Sequence, residues 1–172
     1  MDGVRIEVTG AETALAALSE ASRRIERPTE LWEAIGRAMV DSTRRRFDAG
    51  AGPGETPWKP SRRAADGEGK TLIGLGMAGG LMGSIAYEAD ADGVRWGSTM
   101  IHARIHQLGG TIRPKNATAL VFKVGDRVIH AQSVTIPARP FLGVDEQDAA
   151  EIEGLALDFL ALTFAGAADA DG

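Results

Sequence analysis

The order of hydrophobic periodicities along the chain constrains its fold more than any other sequence feature. Apolar residues recur every three to four positions over 15–25, 31–47 and 152–160, which predicts three amphipathic helices. Between the second and third helix, short apolar runs flank two turn sequences, which predicts β-hairpins over 84–98 and 120–133. Helices and hairpins without strand–helix–strand alternation are typical of an α+β fold. We therefore expect antiparallel hairpins that form a small sheet packed against two or three helices.

Local signals mark where several elements begin. Residues 4–8 alternate apolar and charged side chains, which predicts a half-buried strand. Thr9 and Glu12 have the spacing of a capping box, so the first helix is expected to follow directly. Pro28 suits the first turn of the second helix, and Asp145 suits the cap of the last one.

The length of the chain and its loop signals suggest one domain. A chain of 172 residues can bury a self-supporting core, so residues 1–172 are expected to fold as a single unit. Residues 50–80 are rich in Gly, Pro, Lys and Arg, with few apolar side chains apart from Trp58, which predicts a long flexible loop or arm. Residues 165–172 are expected to form a frayed tail.

Composition excludes several classes of protein. The chain has no cysteine, so disulfides, thiolate metal sites and cysteine nucleophiles are absent, which fits assembly in a reducing cytoplasm. The N-terminal residues lack a basic region followed by an apolar run, and no stretch reaches the length of a membrane span. We therefore expect neither export by a signal peptide nor a membrane anchor.

Charge is segregated along the chain. Between residues 95 and 139 there are seven Lys and Arg residues and one acid, Asp126. From residue 145 onward there are eight acids and no Lys or Arg. Such polarity is typical of two solvated surfaces, and it is also the pattern that a head-to-tail contact between subunits would use.

Two glycine-containing segments superficially resemble phosphate-binding loops. Residues 74–79 match the spacing of a dinucleotide fingerprint, but the following residues 81–89 are predicted as strand where that motif needs a helix. Gly69, Lys70 and Thr71 end like a phosphate-binding loop, but Ala64 occupies the position of its first glycine. We interpret 74–79 as a hinge or turn, and we expect no cofactor.

His102 and His106 form the strongest candidate for metal chemistry. Residues 100–108 can make one or two helical turns, which would place the two imidazoles on one face. Ala103 follows the first histidine where a metalloprotease has its glutamate, and no third ligand is evident nearby. Serine nucleophile motifs and paired catalytic carboxylates are also missing from the sequence. A structural histidine pair is the main interpretation, and a metal-dependent hydrolase is the alternative function.

Arg44, Arg45 and Arg46 form a basic triplet near the end of the second predicted helix. Cations at that position complement the helix dipole and favour solubility. The alternative is non-specific proximity to DNA, since a duplex passing through a ring would favour a basic lining.

Four further segments resemble those of a known family. They are GETPWKPS at 54–61, LMGSI at 81–85, IHARIHQLGG at 101–110 and VTIPARPFLG at 134–143. In this order, and followed by an acidic helix, they resemble the phage virion morphogenesis family of tail completion proteins, which includes products of Mu-like phages. The resemblance spans residues 31–164.

The resemblance implies a structural protein rather than an enzyme. It implies a ring of identical subunits, expected to be sixfold, whose partners are tail tube and head–tail connector proteins. The expected location is the virion, at the tail end or the head–tail junction, after assembly in the host cytoplasm. The alternative would then be a phage-encoded hydrolase that uses His102 and His106.

The four segments also supply candidate interface or motif residues. Two prolines fix their backbone angles, so residues 136–141 are expected to be a stiff connector that positions an arginine and an aromatic ring. These two side chains could anchor an interface, or could pack in the core with a buried ion pair. The candidates are Trp58, Ser84, Ile85, His106, Gln107, Gly109, Pro137, Arg139, Pro140 and Phe141.

Overall fold

A computed structural model describes residues 11–73, 80–124 and 127–168. The predicted strand over 4–8, Thr9 of the capping box, the glycine pattern over 74–79 and the end of the tail lie outside these ranges. The helices are α1 (Ala11–Glu26), α2 (Thr29–Ala49), α3 (Arg62–Ala65), α4 (Gly80–Gly83), α5 (Ala103–Leu108) and α6 (Glu146–Ala168). None of the helices in these ranges is both long and apolar enough to cross a bilayer.

The strands confirm the α+β class. They are β1 (Ile85–Ala89), β2 (Val94–Ser98), β3 (Gly110–Ile112), β4 (Leu120–Val124), β5 (Arg127–Ala131) and β6 (Val134–Ile136). Within the described ranges the predicted small sheet is divided into three antiparallel pairs, β1–β2, β3–β6 and β4–β5. In the sequence, β3 precedes the pair β4–β5 and β6 follows it. Because β3 and β6 pair with each other, the segment 110–136 begins and ends at neighbouring points of the fold.

Helix α2 is the centre of the fold. Its predicted stripe is confirmed, since Ile35, Met39, Thr43 and Phe47 are buried. Helix α2 packs against β1 and β2 and also against α6. Helix α6 in turn contacts α1. The close approach to β1 requires glycine at position 36, because a Cβ there would lie 2.3 Å from the ring of Tyr87.

The predicted apolar stripe of α1 does not face the core. Leu15 and Leu18 are 64% and 61% exposed, and Ile25 is also exposed. Ala21 is the buried position, and Arg24 lies over the ring of Phe159 on α6. The helix therefore packs through its small residues, which allow close approach, and leaves its larger apolar residues in solvent.

Three boundaries differ from the sequence prediction. Residues 80–83 form a helical turn before β1 begins at residue 85, where the sequence suggested strand from 81 onward. The segment that follows α2 contains a 3-10 turn (Pro53–Glu55) and α3, and its Trp58 lies in the core. Helix α6 continues to Ala168, so the tail predicted to fray from 165 is helical over its first four residues.

The basic triplet at the end of α2 points in different directions. Arg44 donates to the Ile85 carbonyl, 3.3 Å away, and Arg45 lies 3.6 Å from Glu151 at the surface. Arg46 is buried, which corrects its assignment to solubility and capping. Consecutive residues of an α-helix lie about 100° apart around its axis. Three adjacent arginines therefore cannot share one face.

Arg46 ties α2 to the start of α6. Its guanidinium donates to the carbonyl oxygens of Phe141 (3.2 Å) and Gly143 (2.8 Å) and to the carboxylates of Asp145 (3.1 Å) and Asp148. Asp148 is itself buried and also accepts from Ser42 of α2. A buried charge is tolerated only when it is paired and hydrogen-bonded, and this network satisfies both partners.

Asp145 caps α6 as predicted. Its backbone N–H donates to Asp148 (3.1 Å), and the Asp148 N–H donates back to the Asp145 carboxylate (3.0 Å). The Gly54 N–H donates to the same carboxylate from the 3-10 turn, 3.1 Å away. The Asp148 and Gly54 N–H groups, followed by Arg46, hold the pKa of Asp145 below its usual value. The carboxylate therefore stays charged where the helix dipole favours it.

We expect Arg46→Met to lower the free energy of unfolding by about 3–5 kcal/mol, because it leaves Asp148 buried without its cation. The matched control is Arg45→Met at the neighbouring position, where loss of an exposed pair should cost less than about 1 kcal/mol. Urea unfolding of both variants at pH 7 and equal protein concentration measures the difference. Equal losses in the two variants would contradict this description of α2.

Candidate functional site

Three of the four family-like segments meet at one place in the core. The ring of Phe47 on α2 lies between Trp58 and Phe141, with centroid distances of 5.5 and 5.3 Å. The Trp58 indole N–H donates to the Pro140 carbonyl, 2.8 Å away. Phe141 is completely buried, so it has no area left to bury against another molecule. We call Phe47, Trp58, Gln107, Arg139 and Phe141 the motif junction.

Gln107 joins the third segment to the fourth. Its side-chain carbonyl accepts from the N–H groups of Phe141 (2.9 Å) and Leu142 (3.0 Å). Its amide N–H donates to the Leu142 carbonyl, 2.9 Å away. Three bonds from one side chain satisfy backbone groups that follow Pro140, where no strand partner is present in the described chain. Gln107 therefore acts in place of a neighbouring strand.

Arg139 connects the fourth segment to the first. Its guanidinium donates to the carbonyls of Lys59 (2.7 Å) and Pro60 (3.3 Å), and its backbone N–H donates to the His106 carbonyl (2.7 Å). Arg139 is buried, and burial lowers the pKa of its guanidinium. Arg139 therefore packs in the core, which was the alternative to an interface anchor. Its partners are carbonyl oxygens, however, and the buried ion pair is formed by Arg46.

Gly109 permits the backbones of the third and fourth segments to touch. Its φ is +69°, and a Cβ there would lie 2.7 Å from the Ala138 nitrogen. Gly109 follows α5 directly, and the next residue begins β3, which pairs with β6 just before Pro137. Any other residue would be strained by both the angle and the contact. Gly109 and Pro137 therefore fix the crossing of these segments.

The second family-like segment lies on another side of the core. Ile85 is buried in the same hydrophobic cluster as Phe47, and the Ser84 hydroxyl accepts a 2.7 Å hydrogen bond from the Ser98 hydroxyl on β2. The Ser84 hydroxyl also donates to the Leu81 carbonyl, 2.7 Å away, at the end of α4. These bonds close the turn into β1, so both residues are structural within the subunit.

The two histidines approach each other beside a cavity. Their ring centroids are 5.8 Å apart and nearly perpendicular. With Arg63 and Arg139 they line a cavity of about 410 Å³. Burial, followed by the charges of His102 and Arg139, lowers the pKa of His106, so its imidazole favours the neutral form. Within the described ranges, no group of three histidines or carboxylates is positioned to hold a metal ion.

Two exposed apolar surfaces lie away from the motif junction. Helix α6 presents an outer stripe at helical spacing whose first half is acidic and whose second half is apolar. Leu157 and Phe164 in this stripe are 60% and 53% exposed. The outer stripe is Glu146, Ala150, Glu153, Leu157, Leu160 and Phe164, and all six are exposed.

A second exposed surface is formed by the segment 110–136, which we call the arm. No arm residue whose burial is described is buried. Val121 and Val128 are each 61% exposed, and Phe122 and Ile112 are exposed as well. Sequence reasoning missed both surfaces because apolar residues on predicted helices and strands are normally assigned to the core.

Buried motif residues together with large exposed apolar surfaces are typical of a subunit that assembles with other proteins. The family model of the phage virion morphogenesis family matches residues 6–161, and the chain belongs to this family of structural proteins. Comparisons with curated proteins and with solved structures gave no match. The family assignment confirms the resemblance seen in the four segments and gives the protein a role in building the phage particle.

We expect Gln107→Ala to lower the free energy of unfolding by about 2–4 kcal/mol, because three backbone groups lose their partner. The control is Gln147→Ala on the exposed side of α6, for which a change within about 0.5 kcal/mol is expected. Urea unfolding with tryptophan fluorescence checks both variants. An unchanged midpoint for Gln107→Ala would show that the junction does not need this side chain.

Proposed function

We propose that this protein completes the phage tail or joins the tail to the head, as one subunit of a ring of identical copies. Its family supplies the general role in virion morphogenesis. The observation that carries the finer proposal is the amount of apolar surface left exposed on α1, α6 and the arm. A soluble monomer gains nothing from such surfaces, whereas an assembly subunit buries them against neighbours.

The second half of α6 supports a buried position in an assembly. From Leu155 to Ala168 the only charged residue is Asp158, so the helix is apolar around most of its circumference. A helix that is hydrophobic on all sides is normally buried on all sides. Within the described residues, α1 and α2 pack against one side of this helix. A neighbouring molecule would cover the other side.

The separation of charge supports contact between unlike surfaces. The arm has four Lys and Arg residues and one acid, whereas α6 has five acids and no Lys or Arg. A contact between two different surfaces of identical chains repeats head to tail, and it closes as a ring when the rotation per subunit divides a full turn. Opposite charge on the two surfaces would also suppress symmetric pairing of α6 with itself. Sixfold closure is the stoichiometry that the family resemblance favours.

The proposed position is the tail end or the head–tail junction of the virion, reached after assembly in the host cytoplasm. There the ring would contact tail tube and head–tail connector proteins. Arg44 and Arg45 keep part of their side chains exposed, so they are the arginines of the triplet that could come close to DNA. Arg46 is buried and is engaged with α6.

Light scattering at low and high salt tests the ring. We expect a discrete mass that is a multiple of 18.1 kDa, and a shift to smaller species when salt screens the contact. Leu157→Glu should reduce the assembled fraction, whereas Ala91→Glu in the exposed β1–β2 turn should not. A monomer of unchanged mass at both salt concentrations, alone and with purified tails lacking this chain, would contradict the proposal.

A further inference from the structure

We propose that the arm of one subunit docks on the outer stripe of α6 in the next copy. This inference rests on the proposed assembly of identical chains and specifies the two surfaces that meet. The arm comprises residues 110–136, and the outer stripe runs along α6 from Glu146 to Phe164.

The arm has apolar side chains on both of its faces. In the β4–β5 ladder Phe122 is opposite Ile129, so these two side chains share one face. Val121 and Val128 lie at the positions of opposite parity and therefore share the other face, where each is 61% exposed. A two-stranded hairpin has no second layer with which to cover either face, and such hairpins are marginal in water. The arm is thus built to pack on another surface.

Within the described residues, the subunit leaves the outer stripe exposed. The opposite side of α6 holds Asp148 and Thr163, which are buried, and packs toward α1 and α2. The stripe itself faces away from these helices, with Leu157 and Phe164 more than half exposed. Burial of that side of the helix requires a further surface, which we assign to a separate molecule.

Charge complementarity selects a second copy of the chain as this molecule. The arm sequence includes Arg113, Lys115, Lys123 and Arg127, against the single acid Asp126. Two other acids of α6 already have partners, since Asp148 bonds to Arg46 and Glu151 lies near Arg45.

The acids of the stripe remain available. Glu146 and Glu153 make no ion pair within the part of the chain that the structure describes. An arm laid along α6 can therefore place basic residues near the acidic half while one of its two apolar faces covers Leu157, Leu160 and Phe164.

Cysteine cross-linking tests the contact cleanly, because the chain has no cysteine of its own. Val121→Cys and Leu157→Cys are combined in one chain, which is assembled and then oxidised. A disulfide forms only when the two Cβ atoms come within about 3.5–4.5 Å, so a product reports direct apposition. Phe122→Cys with Leu160→Cys tests the other face of the arm. The control pair is Val121→Cys with Ala91→Cys.

The expected result is a ladder of covalent multimers for a 121/157 or 122/160 pair, with none for the 121/91 control. Mixing the two single-cysteine chains should give a cross-linked dimer that neither gives alone. If light scattering shows the assembled mass but no stripe pair cross-links, docking of the arm on α6 is wrong while the ring proposal stands. If oxidation in the presence of tails joins the Val121→Cys variant only to a chain of different mass, the arm binds another virion protein and the inference also fails.

Discussion

The packing of Phe47 between Trp58 and Phe141 is the contact on which the rest of the subunit depends. The three rings come from α2, from the segment that follows it and from the segment that precedes α6. No disulfide is available to join these segments, so aromatic burial and hydrogen bonds must hold them. Gln107 and Arg46 bond to backbone groups of Phe141, and Arg139 bonds to the Lys59 carbonyl next to Trp58. These bonds set the point from which α6 begins. The position of α6, and with it that of α1, follows from this junction.

The division between interior motif and exterior surface explains how such a chain can serve as an assembly subunit. Among the residues that carry the resemblance to the phage virion morphogenesis family, Trp58, Ile85, Arg139 and Phe141 are buried, where they fix the shape. Exposed apolar residues lie on α1, on α6 and on the arm, and also at Ile101, Leu108 and Val144. A rigid interior keeps these surfaces at fixed angles to one another, which the proposed ring would need in order to close. The proposed function therefore depends on the exposed surfaces, and the motif junction determines how these surfaces are placed relative to one another.

The periodicity of apolar residues was sufficient to predict the three long helices and the two hairpins, but not which side of each helix is buried. The stripe of α2 and the β1–β2 turn were predictable because local sequence determines helix faces and turns. The exposure of Leu15 and Leu18 was not, because α1 packs through Ala21 and no local rule shows which side of a helix meets its neighbour. Burial of Arg46 could not be inferred either, since its partner Asp148 is 102 residues away. The available signal was Asp145, which suited a helix cap without indicating the arginine.

Electron microscopy of particles assembled without this protein tests the central claim most directly. If the chain completes the tail or joins it to the head, filled heads and unattached or irregular tails should accumulate, and supplying the wild-type chain should restore joined particles. Fully joined, infectious virions produced in its absence would contradict the account.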